Sequence, residues 1–264
     1  MAQRKGSLVF VGLGLHDESG ISLRGINEIR RAEKIFAESY TSSLSEGSLD
    51  RLKESTGRQI ERLSRAEVED GSKILAASVE GSVVLLVPGD PMTATTHVDL
   101  RIRAAKMGIR TSIVHGASAL TAVPGILGLQ SYKFGRATTV PYPRGGYSPT
   151  SPLEVIFDNR SRGLHTLVLL DIDEEGGRHM TANEGLRLLM DMESQTGRGL
   201  ISPDLLVCVV ARAGAPDCVA CAGRFADLVN GDYGPPLHTI VVPGRLHFME
   251  EEALSLLGQL TGKS

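Results

Sequence analysis

The arrangement in this chain best placed for chemistry is a carboxylate held between two prolines, Pro88-Gly89-Asp90-Pro91. It follows directly on Ser82-Val83-Val84-Leu85-Leu86-Val87, an apolar run that reads as a buried parallel strand stopped by Pro-Gly. Open α/β sheets bind ligands just beyond such carboxyl strand ends. Asp90 could there accept hydrogen bonds from a hydroxyl or ammonium group of a ligand. The same four residues also satisfy the rules of an ordinary turn, with Asp90 as a plain turn carboxylate. A second strand-end signal is Gly12-x-Gly14, after Leu8-Val9-Phe10-Val11. A dinucleotide fingerprint would need a third glycine, and position 17 holds Asp17. A tight turn that lets a ligand approach the backbone is the better account.

Other chemistries find little support. His97, His115, His165, His179, His238 and His247 are scattered, with no i, i+4 pair of the kind a helical metal site uses. Each alone reads first as a structural histidine. There is no G-x-S-x-G and no P-loop. The three cysteines are Cys208, Cys218 and Cys221. Cys208 falls in a strand-like run. Cys218-Val219-Ala220-Cys221 is formally a C-x-x-C, but it sits in an apolar stretch rather than opening a helix, and no further zinc ligands lie near it. A structural role is favoured over thiol chemistry or a disulfide, and no metal site is expected.

The elements that must position these residues alternate between strand and helix. Ser22 suits an N-cap, Ile35-Phe36-Ala37 reads as a second strand, and Ser64-Arg65-Ala66-Glu67 has the form of a capping box opening a helix to about Val79. Met92 through His97 begins the next helix, which ends near Met107 with Gly108 as its cap. Ile109–Val114 is another strand. After the turn-rich loop Pro143–Pro149, Leu164–Asp171, Leu205–Val210 and Thr239–Val242 read as strands. Thr181-Ala182-Asn183-Glu184 repeats the capping box at the head of a helix to about Met192, and a last helix runs over His247–Leu257. This predicts an α/β fold built on a mostly parallel sheet covered by helices, in two domains spanning 1–117 and 118–264.

Composition narrows the partners. The chain has 264 residues, 28 basic against 31 acidic side chains, no Trp and only 4% aromatic residues, so neither a basic excess nor base-stacking side chains point to nucleic acid. No apolar run approaches the roughly 20 residues of a membrane span. The segment Met1-Ala2-Gln3-Arg4-Lys5 lacks the apolar core of a signal peptide, so a cytoplasmic protein is expected.

Taken in order, several motifs point further: Val11-Gly12-Leu13-Gly14-Leu15, Ala37-Glu38-Ser39-Tyr40-Thr41-Ser42, Pro88-Gly89-Asp90-Pro91-Met92-Thr93-Ala94-Thr95-Thr96-His97 and Tyr132-Lys133-Phe134-Gly135. Leu164-His165-Thr166-Leu167, Met180-Thr181-Ala182-Asn183-Glu184, Ala211-Arg212-Ala213-Gly214 and Val242-Pro243-Gly244-Arg245-Leu246-His247 follow. From about Leu8 to Leu257 the chain resembles the archaeal diphthine synthases, within the tetrapyrrole methylase superfamily.

The resemblance implies two α/β domains of the tetrapyrrole methylase type with S-adenosylmethionine in the cleft between them, S-adenosylhomocysteine as product, and a homodimer. It implies a protein substrate, translation elongation factor 2, whose aminocarboxypropyl-modified histidine is methylated repeatedly on its amine, to a trimethylammonium. The family's cofactor positions fall on Leu15, Asp90, Thr93, Ser118, Ala119, Leu170, Ala213 and His238. Two departures stand out: Pro124 reads as a one-residue insertion in the helix after Ser118, and Ala119 stands where a larger apolar residue is common. Methyl transfer to an amine needs a neutral lone pair in line with the S–CH3 bond, and neither a metal nor a covalent intermediate. Asp90 is expected to bind cofactor rather than move protons, and no residue is assigned as a catalytic base. The loop Pro143–Pro149 reads as substrate-facing or as an ordinary surface loop. Rival readings are a methyltransferase acting on a tetrapyrrole of the precorrin type and a non-catalytic, cofactor-binding regulatory dimer.

Overall fold

The computed structural model describes residues 6–38, 44–143, 145, 149–173 and 176–258. The chain divides into two compact units, 1–118 and 119–264.

The first unit runs β1 (Ser7–Gly12), α1 (Leu23–Arg31), β2 (Lys34–Glu38), α2 (Ser48–Thr56), β3 (Glu61–Leu63), α3 (Arg65–Asp70), α4 (Ser72–Glu80), β4 (Ser82–Val87), α5 (His97–Lys106) and β5 (Arg110–Val114). Its strands form one parallel sheet in the order β3-β2-β4-β1-β5. Leu8, Phe10, Leu85 and Val87 pack on one face with α3, α4 and α5, while Val9, Val11, Val84 and Leu86 pack on the other with α1 and α2. Burial on both faces is why these strands are unbroken apolar runs rather than alternating ones.

Local signals act as the sequence predicts at several ends. The Ser22 hydroxyl accepts from Gly25 N–H at the head of α1, and Ser64 with Glu67 completes its capping box on α3. Two helix expectations change. The helix from Ser64 stops at Gly71, whose φ of +67° breaks the run, and α4 starts anew at Ser72. The residues after Asp90 do not enter a helix at Met92. They coil through Ala94, at φ +55°, and α5 begins only at His97. Side chains explain the delay: Asp90 takes the Met92 N–H, and the Thr95 hydroxyl and His97 ring both bond the Pro91 carbonyl. Such bonds compete with helical ones.

The second unit runs α6 (Ala119–Leu127), β6 (Thr138–Val140), α7 (Ser151–Ser161), β7 (Thr166–Leu170), the two-residue strands β8 (Ile172–Asp173) and β9 (Arg178–His179), α8 (Ala182–Thr196), β10 (Leu206–Ala211), β11 (Val219–Arg224), α9 (Phe225–Leu228), β12 (His238–Val242) and α10 (Phe248–Leu257). Its main sheet is ordered β11-β10-β12-β7-β6. Only β6 and β7 pair in parallel, and the other three pairings are antiparallel. This corrects the mostly parallel expectation for this half: β10 and β11 are joined by a short loop, which antiparallel neighbours accept and parallel ones do not. Pro124 lies buried inside α6, which ends three residues later at Leu127. The cysteines are free: Cys208 and Cys221 are core strand residues, and burial pushes all three thiols up.

One buried carboxylate fastens this unit. Glu250, on α10 and fully buried, accepts from Gln130 N–H at 2.9 Å and His165 Nε2 at 3.0 Å on one oxygen, and from His247 N–H at 2.8 Å on the other. Lys133 Nζ also donates to that second oxygen. The four donors fill its lone pairs. His165 Nδ1 in turn accepts from Gly244 N–H at 2.9 Å, which fixes the proton on Nε2. Burial pushes the His165 ring down, so it donates as a neutral imidazole. The motifs around Lys133, His165 and Gly244–His247 are therefore parts of one buried network.

Desolvation alone would raise the Glu250 carboxyl, but the Lys133 ammonium and the backbone donors pull it from 4.5 to about 2. A folded-state value below the unfolded one adds stability above pH 4.5, which is lost as pH falls toward 2. Glu250→Gln should be destabilised at neutral pH by about 3–5 kcal/mol, since it leaves Lys133 without its counter-charge. Urea midpoints measured from pH 6 down to about pH 2.5 should show the gap between wild type and variant closing as pH falls. A constant gap contradicts this role.

Candidate active site

The carboxyl ends of β4, β1 and β5 close on one another through glycines. Gly14 and Gly89 exchange backbone hydrogen bonds at 3.2 and 2.8 Å, and both have positive φ. A Cβ on Gly12 would lie 2.6 Å from Gly116 N and 2.6 Å from the Gly89 carbonyl oxygen. A Cβ on Gly116 would lie 2.4 Å from that same oxygen. The ends of β4 and β5 thus fold over the end of β1, and only glycine permits it.

Asp90 sits on this closure, 9% exposed. Its Oδ1 accepts from Met92 N–H at 2.9 Å and the Thr93 hydroxyl at 3.2 Å. Its Oδ2 accepts from His115 Nδ1 at 2.7 Å. Burial would raise this carboxyl, but the Met92 N–H, the His115 ring and the Thr93 hydroxyl outweigh it and hold it below the ordinary range. The two readings of Asp90 from sequence are compatible. It is a turn carboxylate, and of its roughly four lone-pair sites three are filled by described residues, which leaves one for a ligand donor.

Beneath the turn lies a buried ion pair. His97 Nε2 is 2.8 Å from Glu38 Oε2 at the end of β2, with both side chains almost fully buried. His97 Nδ1 faces the Pro91 carbonyl at 2.9 Å. Desolvation would lower this ring, but Glu38 and the carbonyl hold it above the usual imidazole range. His97 therefore ties the Asp90–Pro91 turn to β2. Ser39, Tyr40, Thr41 and Ser42, which follow Glu38 in its motif, lie outside the described residues.

The other predicted positions fall at strand ends within each unit. Leu15 is half-buried just past Gly14, Thr93 is half-buried and bonded to Asp90, and Ser118 is buried in the loop after β5. In the second unit Ala119 opens α6, Leu170 ends β7, Ala213 lies two residues past β10, and His238 opens β12. Ala211 pairs with His238, and continuing the β7–β12 register sets Leu170 level with it, so Leu170, Ala213 and His238 gather at one end of that sheet. The His238 ring is fully engaged: Nδ1 accepts from Ala182 N–H at 3.0 Å, and Nε2 donates to the Pro235 carbonyl at 3.1 Å. Burial, with the Arg212 charge, pushes this ring down and keeps it neutral. Of the loop at 143–149, Pro143, Gly145 and Pro149 are described, and Gly146 and Tyr147 are not. Among the described residues no cluster of His, Cys, Asp and Glu is suited to a metal, and no helix is long and apolar enough to cross a membrane.

Sequence reasoning missed His115, treating it as one scattered histidine. The available signal was its place directly after the strand Arg110–Val114, one strand beyond the glycine turn of β1.

The profile described as Tetrapyrrole (Corrin/Porphyrin) Methylases matches residues 7–228. The diphthine synthase of Methanocaldococcus jannaschii is 46% identical over 95% of this chain and 98% of its own length. That of Methanocella arvoryzae is 45% identical over 96% of this chain and 98% of its own length. The chain belongs to the tetrapyrrole methylases, among the diphthine synthases. A crystal structure of a diphthine synthase superposes with a TM-score of 0.87 at 39% identity, covering 95% of each chain. The protein is an S-adenosylmethionine-dependent methyltransferase with the mixed α/β fold of that family.

With Asp90→Ala, the turn loses the acceptor for Met92, Thr93 and His115, together with the one lone-pair site they leave open. Calorimetric titration of the variant with S-adenosylmethionine should show affinity lower by at least about tenfold, the scale of one charge-assisted hydrogen bond. Unchanged affinity would sink the assignment of Asp90 to the cofactor.

Proposed function

We propose that this protein methylates the amine of the aminocarboxypropyl-modified histidine of translation elongation factor 2, adding three methyl groups to form diphthine in diphthamide biosynthesis. The observation that carries the reading is near-full-length agreement, at 45–46% identity, with relatives named diphthine synthase. Cofactor contacts in this proposal are Leu15, Asp90, Thr93 and Ser118 from the first unit and Ala119, Leu170, Ala213 and His238 from the second. Both ring nitrogens of His238 already have protein partners, so its share is its backbone or ring face. Ala119 leaves its contact to the backbone or widens the pocket there.

S-adenosylmethionine supplies the methyl group from a sulfonium. The protein's task is to hold amine and methyl carbon in line and to keep the amine neutral. Orientation of this kind accounts for about 7–11 kcal/mol in well-aligned intramolecular systems. Asp90, held by Met92, Thr93 and His115 and followed by Pro91, whose carbonyl His97 bonds, gives such a contact with little reorganisation on binding. A homodimer and a substrate-facing role for the loop at 143–149 complete the reading, and sedimentation at micromolar concentration tests the dimer.

The deciding assay offers labelled cofactor to elongation factor 2 carrying the aminocarboxypropyl group, with a corrinoid precursor in parallel. The reading expects transfer to the factor, ending at a product heavier by three methyl groups in intact-mass spectra. Transfer to the corrinoid alone selects the tetrapyrrole rival, and cofactor binding without turnover selects the regulatory one.

A further inference from the structure

His115 stands outside every role assigned above except its bond to Asp90. It is the first residue beyond β5, and its side chain is 70% exposed while that of Asp90 is 10% exposed. Because Asp90 is ionised and can only accept, the proton of the Asp90–His115 bond belongs to Nδ1. With its one proton on Nδ1, the unprotonated form of the ring presents Nε2 as a lone pair, and Nε2 has no hydrogen-bond partner among the described residues. A buried carboxylate that fixes the tautomer and orientation of an imidazole, leaving the far nitrogen free, is the working arrangement of a general base. The neighbours of this loop are backbone: Gly12 and Gly14 from β1 and Gly89 from β4 crowd Gly116. Asp90 is the charged group the structure sets against the ring.

The chemistry demands such a group. An alkylammonium is largely protonated at neutral pH and has no lone pair to attack with. A primary ammonium that ends as a trimethylammonium gives up three protons, one before each transfer. Resting on the methyltransferase reading above, we propose that His115 Nε2 is the proton acceptor for the substrate amine, with Asp90 as the carboxylate that orients it. In each round an N–H bond of the ammonium breaks and its proton goes to Nε2. The freed nitrogen pair forms the N–CH3 bond as the S–CH3 bond breaks, and that bond's electrons stay on sulfur. The nitrogen becomes cationic again, the sulfonium becomes a neutral thioether, and the exposed imidazolium returns its proton to water.

His115→Asn separates this role from simple support of the turn, since the Asn amide N–H can still donate to Asp90 but offers no base. Single-turnover transfer to the aminocarboxypropyl-modified factor should fall by about a hundredfold at pH 7, the scale of general-base catalysis. The deficit should narrow to under about tenfold near pH 9.5, where free amine and hydroxide replace the lost base. Calorimetric affinity for S-adenosylhomocysteine should stay within about twofold of wild type, and added imidazole should restore part of the rate to His115→Gly. A variant rate within threefold of wild type at pH 7 overturns the proposal, as does a deficit that is the same at every pH or that follows a matching loss of cofactor affinity. If the wild type itself transfers no methyl group, the functional reading fails and takes the proposal with it. An active wild type beside an equally active variant fails the proposal alone.

Discussion

The first unit depends on a close approach of three strand ends over glycine. Strands β4 and β5 are not neighbours, because β1 lies between them. Yet Asp90 beyond β4 and His115 beyond β5 meet at 2.7 Å. They meet because Gly12 lies where any side chain would strike Gly116 and the Gly89 carbonyl. The apolar, doubly buried strands beneath hold those ends at fixed spacing, as close-packed interiors do. The turn thus becomes a rigid place for a carboxylate, and that carboxylate orients the His115 imidazole.

Buried charge does the fastening in each unit. Glu38 and His97 secure the Asp90 turn from below, and Glu250 gathers Gln130, Lys133, His165 and His247 in the second unit. Buried charges of this kind are tolerated only when their bonds are nearly all made, so each partner is constrained by the others. The most distinctive motifs of the chain, those ending in His97 and His247, thus contribute histidines bonded to neighbouring protein groups.

Much of this was legible in sequence, for local reasons. The capping boxes at Ser64 and Thr181, the N-cap at Ser22 and the buried run at Val83–Val87 each follow from residues close in the chain, and the structure contains them all. What escaped depends on distant partners. The coil from Met92 to Thr96 arises because Asp90, Thr95 and His97 reach back to the backbone. The antiparallel second sheet follows from strand order, which alternation of elements does not encode. The pairing of Asp90 with His115 spans twenty-five residues and a whole intervening strand.

The central claim is that the glycine-closed strand ends of the first unit form part of the cofactor site. Titration of 15N-labelled protein with S-adenosylhomocysteine, followed through its amide resonances, tests it most directly. The account predicts saturable shifts concentrated at Leu15, Asp90 and Thr93, with amides of the opposite strand ends, such as Ser7 and Ser82, unmoved. Saturable binding that leaves Leu15, Asp90 and Thr93 in place would contradict it.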